Sequence, residues 1–192
     1  MLLTGLVQAQ KFDGGLFAGM SASQVNGDEL SGYNLPGFQG GFFTMLPLND
    51  KSALQLEISF VQKGARELPS DTSIFYRTRL NYISVPLLYR LHWGDQLAFE
   101  IGPVFDILAN AEESDQSGER EINPPYKNFH LAGLFAINYN FNEEFWISFR
   151  TVNSITTIRE GNAAAPTINS PRLGGNGQRN LILTFGLYYA FF

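Results

Sequence analysis

Apolar and polar residues alternate with a period of two along most of this chain, the pattern of β-strands whose two faces meet different surroundings. Leu97, Phe99, Ile101, Phe105 and Ile107 alternate with Gln96, Ala98, Glu100, Gly102, Val104 and Asp106. Phe129, Leu131, Phe135, Ile137, Tyr139 and Phe141 are interleaved with His130, Ala132, Ala136, Asn138 and Asn140, and Leu54, Leu56, Ile58 and Phe60 oppose Gln55, Glu57 and Ser59. The last segment sets Leu181, Leu183, Phe185, Leu187, Tyr189 and Phe191 against Thr184, Gly186, Tyr188 and Ala190. Eight such segments are expected, near residues 12–22, 37–48, 53–63, 75–91, 96–109, 127–141, 145–157 and 180–191. Most exceed the roughly 5–6 residues of a soluble strand and reach the roughly 9–11 that a tilted strand needs to cross a bilayer. In the fourth segment Leu80 and Tyr82 fall out of phase with Ile83, Val85, Leu87 and Tyr89, and Pro86 cannot donate to a ladder, which predicts a bulge between Tyr82 and Pro86.

The connections alternate in length. Asn49-Asp50-Lys51-Ser52, His92-Trp93-Gly94-Asp95 and Asn142-Glu143-Glu144 read as tight turns, whereas residues 23–36, 64–74, 110–126 and 158–179 are long and polar. Short turns at one end and long loops at the other are the asymmetry of transmembrane barrels, whose termini lie on the short-turn, periplasmic side. The fold class expected is therefore all-β, an eight-stranded antiparallel up-and-down transmembrane β-barrel. A closed barrel satisfies every backbone group without a sheet edge, which a bilayer requires.

Composition narrows the function classes. Hydrophobic residues make up 44% of the 192 residues, yet mean hydropathy is −0.08, because the apolar residues are interleaved rather than gathered into a run of the roughly 20 that a membrane helix needs. The net charge of −5 and the lack of clustered Lys and Arg argue against nucleic acid as a partner. Without cysteine there are no disulfides and no thiolate metal sites. Leu2-Leu3-Thr4-Gly5-Leu6-Val7-Gln8-Ala9 reads as the end of a secretory signal closing on a Val7-x-Ala9 cleavage site, which would make 1–9 residual signal peptide and 10–192 the outer-membrane β-barrel domain. An apolar N-terminal strand is the alternative reading of the same residues.

If the apolar faces meet lipid, the charged faces meet inside. Counting upward from the short turns places Glu57, Glu100 and Arg150 at similar height, so Arg150 is expected to contact Glu100 or Glu57, opposite charges compensating each other's desolvation. Higher up, Arg79 and Asp106 are expected near one another once the fourth-strand bulge is allowed for. These five residues form an expected interior charge cluster of structural character. Tyr89, Trp93, Tyr139, Phe141, Phe145, Tyr189 and Phe191 fall near the periplasmic ends, where an interfacial aromatic girdle belongs.

With these residues in view, the chain resembles the PorT-like outer-membrane β-barrel family of Bacteroidota. The resemblance is carried by Gly14-Gly15-Leu16, Leu30-Ser31-Gly32-Tyr33-Asn34-Leu35-Pro36-Gly37-Phe38, Gln62-Lys63-Gly64, Leu80 to Leu88 and Glu100-Ile101-Gly102-Pro103. It implies an outer-membrane location and, through one branch, an association with type IX secretion and gliding machinery. It carries over no catalytic residues. The closing register of Phe185, Leu187, Tyr189 and Phe191 looks like the signal read by the barrel-assembly machinery.

The function expected is that of a small non-enzymatic envelope component, in contact with outer-membrane lipid and presenting loops to envelope protein partners, with no catalytic, cofactor or metal site. The five acidic residues Glu112, Glu113, Asp115, Glu119 and Glu121 are expected to form a solvated loop. Two other classes remain open: a lipid-modifying enzyme, for which only His92 and His130 could act as base, and a soluble lipocalin-type barrel, whose interior would be apolar and exterior polar.

Overall fold

The computed structural model describes residues 12–26, 35–67, 75–160 and 177–191. The expected signal segment 1–9, residues Leu30 to Asn34 of the family pattern and the centres of three long connections lie outside the described residues. Among the described residues ten strands form one antiparallel sheet: β1 (Asp13–Asn26), β2 (Leu35–Asn49), β3 (Ser52–Glu67), β4 (Tyr76–Trp93), β5 (Leu97–Asp115), β6 (Gly118–Glu119), β7 (Phe129–Asn140), β8 (Phe145–Ser154), β9 (Arg159–Glu160) and β10 (Gly177–Ala190). The eight long strands pair in chain order, and β1 pairs with β10 from Gly15↔Ala190 to Asn26↔Arg179, which closes the ring. The two short strands extend its long-loop end, β6 on β5 and β9 on β10.

Side-chain direction follows the period of two. Phe135 (44% exposed) and Phe185 (53%) point outward, while Glu100 (0%) points to the axis. Phe99 shares the outward phase, stacking on Phe135 with ring centroids 6.5 Å apart and meeting Trp93 edge-on at 6.3 Å. The outer wall is thus an apolar surface that water would penalise and an acyl environment would not. A soluble lipocalin-type distribution is the reverse of this one.

Three strands run further than expected towards the long loops, β1 to Asn26, β3 to Glu67 and β5 to Asp115, while β8 stops at Ser154. The irregularity in this wall also lies elsewhere than expected. β4 keeps one phase from Thr78 to Arg90, with Leu80, Tyr82, Ser84, Leu88 and Arg90 all buried. The register shift is on β5, where Asn81↔Asn110 is followed by Tyr82↔Leu108 and Ala109 is the extra residue. That bulge moves the inward phase of β5 from Asp106 to Glu113. Gly64, with φ of 139°, adopts a backbone conformation closed to residues with a Cβ and sits directly opposite Arg79.

Candidate functional site in the charged interior

The inward phase of the eight strands stacks side chains in layers along the barrel axis. Nearest the short turns, Phe17, Phe43, Trp146 and Tyr188 form an aromatic layer. Tyr188 stacks between Phe17 (4.5 Å) and Trp146 (5.3 Å). The missing side chain of Gly15 makes room for the Phe43 ring. Two guanidiniums lie over this layer: Arg90 is 4.5 Å from the Trp146 ring centroid and Arg150 4.7 Å from that of Tyr188, each a favourable cation–π contact where water is excluded.

Glu57, Glu100 and Arg150 come together here. Arg150 donates from Nη1 to Glu57 Oε2 and from Nη2 to Glu57 Oε1, both at 2.8 Å, and from Nη2 to Glu100 Oε2 at 2.9 Å. Its Nε donates to Ser148 Oγ at 2.9 Å. The other Glu100 oxygen accepts from Arg90 Nη1 at 2.9 Å, and Arg90 Nη2 donates to Asn140 Oδ1 at 2.7 Å. Gln55 Nε2 caps the chain on Glu57 Oε1. Cations and carboxylates alternate, and the planar Arg150 guanidinium matches the Glu57 carboxylate with two parallel bonds.

Arg79 and Asp106 do not meet. Asp106 is fully buried on the inward face of β5, accepts from Lys63 Nζ at 2.6 Å and from the Ser84 hydroxyl, and lies 3.0 Å from His130 Nε2. Arg79 is on the outward phase of β4, opposite Glu112. The bulge falling on β5 rather than β4 is the reason: β4 has no phase change that would turn Arg79 inward. Lys63 stands in the place expected of Arg79, on the inward phase of β3 and 2% exposed. The void between this layer and the one below, bounded by Gln39, Glu57, Lys63, Arg150 and Thr184, measures about 20 Å³, room for about one water.

Above Asp106 the barrel is capped. Tyr82, Leu80, Val25 and Ala65 pack against Tyr126 and Ile158, which come from the segments flanking β7 and β8. Glu113, expected in a solvated loop, is buried beneath them. Its Oε1 accepts from Tyr126 Oη and from Arg159 Nη1, both at 2.6 Å, and the Arg159 guanidinium lies 4.9 Å from the Tyr126 ring centroid. Lys127 N–H donates to the Ile158 carbonyl and Ile158 N–H to that of Gln178, which ties the cap to β10. Among the described residues, the buried cations Lys63, Arg90, Arg150 and Arg159 balance the buried carboxylates Glu57, Glu100, Asp106 and Glu113. An electroneutral interior avoids the penalty of an uncompensated charge out of water.

Arg90, Lys63, Arg159 and His130 were not part of the expected cluster. A signal for the first was present: Arg90 lies between the outward Tyr89 and Leu91, on the phase that must face the axis.

A family model described as an outer membrane protein beta-barrel domain matches residues 8–160, well over half of the chain. The chain belongs to this outer-membrane β-barrel family. Solved structures agree on the fold. Neisserial surface protein A is 13% identical, with a TM-score of 0.62, over 93% of this chain and 97% of that one. The attachment invasion locus protein Ail of Yersinia pestis, in complex with the heparin analogue sucrose octasulfate, is 13% identical, with a TM-score of 0.54, over 94% of this chain and 99% of that one. No curated protein matches the chain. As an outer-membrane barrel the molecule has its apolar wall in lipid, its short turns in the periplasm and its cap at the cell surface.

Proposed function

We propose that this outer-membrane barrel is a non-enzymatic structural or accessory component of an envelope complex, rigid in the membrane and offering its surface-exposed ends to protein partners. The observation that carries the reading is the filled interior. Among the described residues, ion-paired layers, an aromatic floor and the Tyr126–Ile158 cap enclose a mid-barrel void of only about 20 Å³, which suits an anchor rather than a conduit. The PorT-like resemblance extends this reading to a link with the type IX secretion machinery.

A lipid-modifying enzyme is the competing reading, and among the described residues the grouping that bears on it is Ser84, Asp106 and His130. Nucleophilic catalysis places the histidine between serine and acid, so that it can take the hydroxyl proton. Here Asp106 is the central residue, bonded to Ser84 on one side and facing His130 on the other, and all three are at most 3% exposed. The grouping serves packing and charge neutralisation.

Affinity purification of the tagged chain from native membranes after mild crosslinking tests the proposal. A protein partner recovered in stoichiometric amount is the expected result. A monomer with no partner, together with an altered lipid profile in a deletion strain, would overturn it in favour of the enzyme.

A further inference from the structure

The outward ladder between β3 and β4 changes character in steps as it leaves the bilayer. Phe60 faces Ile83, Gln62 faces Asn81, Gly64 faces Arg79, and Arg66 faces Arg77. Apolar side chains thus give way to amides and then to guanidiniums, on the wall that below them is lipid-facing. The last apolar pair marks the edge of the hydrocarbon, so the arginines stand at the level of the outer-leaflet headgroups.

Two like charges directly opposite one another across a strand pair repel, and Arg66 and Arg77 are such a pair. Neither forms an ion pair with a described carboxylate. The Nε of each is shut off from solvent and has no hydrogen-bond acceptor among the described residues. Arg66 is fixed over the Phe75 ring, with its guanidinium carbon 5.9 Å from the centroid. Glu112, across from Arg79, accepts from Asn110 Nδ2 instead. A cluster of three guanidiniums on an acidic protein, continuous with a bilayer-facing surface, is complementary to an anion fixed at headgroup height.

We propose that Arg66, Arg77 and Arg79 form a site for the phosphorylated headgroup of an outer-leaflet lipid, whose acyl chains lie on the Phe60–Ile83 wall below. The phosphate relieves the Arg66–Arg77 repulsion and receives bidentate guanidinium bonds.

The test is native mass spectrometry of the full chain in phosphatidylcholine nanodiscs titrated with lipid A as the phosphorylated probe, with no other protein present. The wild type binds lipid A, and the R66Q/R77Q variant binds it roughly thirtyfold more weakly, the loss expected for two cations at a membrane surface. R120Q/K127Q, which removes two cations from the cap, leaves binding unchanged. In phosphatidylcholine alone R66Q/R77Q unfolds at the same urea concentration as the wild type or a higher one, since a repulsion has been removed. Undiminished lipid A binding by R66Q/R77Q, an equal loss in R120Q/K127Q, or displacement of lipid A by the same concentration of inorganic phosphate would overturn the proposal. If the double variant does not fold, R77Q alone is read by the same criteria. A failure here leaves the protein-partner reading untouched.

Discussion

Arg150 holds Glu57 through two parallel hydrogen bonds of 2.8 Å and reaches Glu100 with the same Nη2 atom at 2.9 Å, joining β8, β3 and β5 across the barrel. Removing the cation leaves two carboxylates buried without it. Arg150→Met is expected to destabilise the barrel by about 3–5 kcal/mol. Urea unfolding in lipid vesicles, followed by tryptophan fluorescence, measures this directly. A loss under about 1 kcal/mol would mean that the pair is as inconsequential as a surface ion pair.

Lys63 and Asp106 should be energetically coupled. A double-mutant cycle with Lys63→Met and Asp106→Asn is expected to give an interaction on the order of 2 kcal/mol, because each single change strands a buried partner. The same cycle with Arg79→Met in place of Lys63→Met is expected to give additivity within about 0.5 kcal/mol.

Charge on the outer wall should be penalised by depth. Phe135→Arg and Phe185→Arg each place a guanidinium in lipid and are expected to cost about 2–4 kcal/mol if the position lies near the bilayer midplane. Lys127→Ala, in the solvated part of the cap, should change stability by less than about 0.5 kcal/mol.

The cap should weaken in alkali. Burial, reinforced by the hydrogen bond to Glu113, pushes the Tyr126 phenol well above the usual tyrosine range. A group whose folded value is raised contributes stability that is complete below the unfolded value, about pH 10 for tyrosine, and is lost as pH climbs towards the folded value. Trypsin cleavage after Arg120 and Lys127 is therefore expected to accelerate above about pH 10. Tyr126→Phe should remove most of that pH dependence.

How far the sequence could be read depended on what lay outside each strand. Beside lipid, the outward residue has to be apolar, so Phe99, Phe135 and Phe185 declare their face and Glu57, Glu100 and Arg150 theirs. Counting from a tight turn then places the last three at one height, because no bulge intervenes. Near the cell surface that rule lapses. Leu80 and Tyr82 are apolar yet point inward, where Tyr126 and Ile158 cover them, while Arg79 points outward beyond the hydrocarbon. An apolar residue at that height is ambiguous by sequence, and resolving it towards lipid moves the irregularity from Ala109 to β4. Glu113 was hidden for the same reason: its inward direction depends on that bulge, and its partners Tyr126 and Arg159 come from distant connections.

The central claim is that apolar side chains face acyl chains while charged groups are enclosed. The chain has no cysteine, so single cysteines can carry spin labels without background. Labels at Phe185→Cys and Phe135→Cys in reconstituted bilayers should be relaxed strongly by oxygen and weakly by a water-soluble nickel chelate, and Ser148→Cys should resist labelling until the barrel is unfolded. Ready labelling at Ser148→Cys, with Phe185→Cys and Phe135→Cys sheltered from dissolved oxygen, would contradict the account.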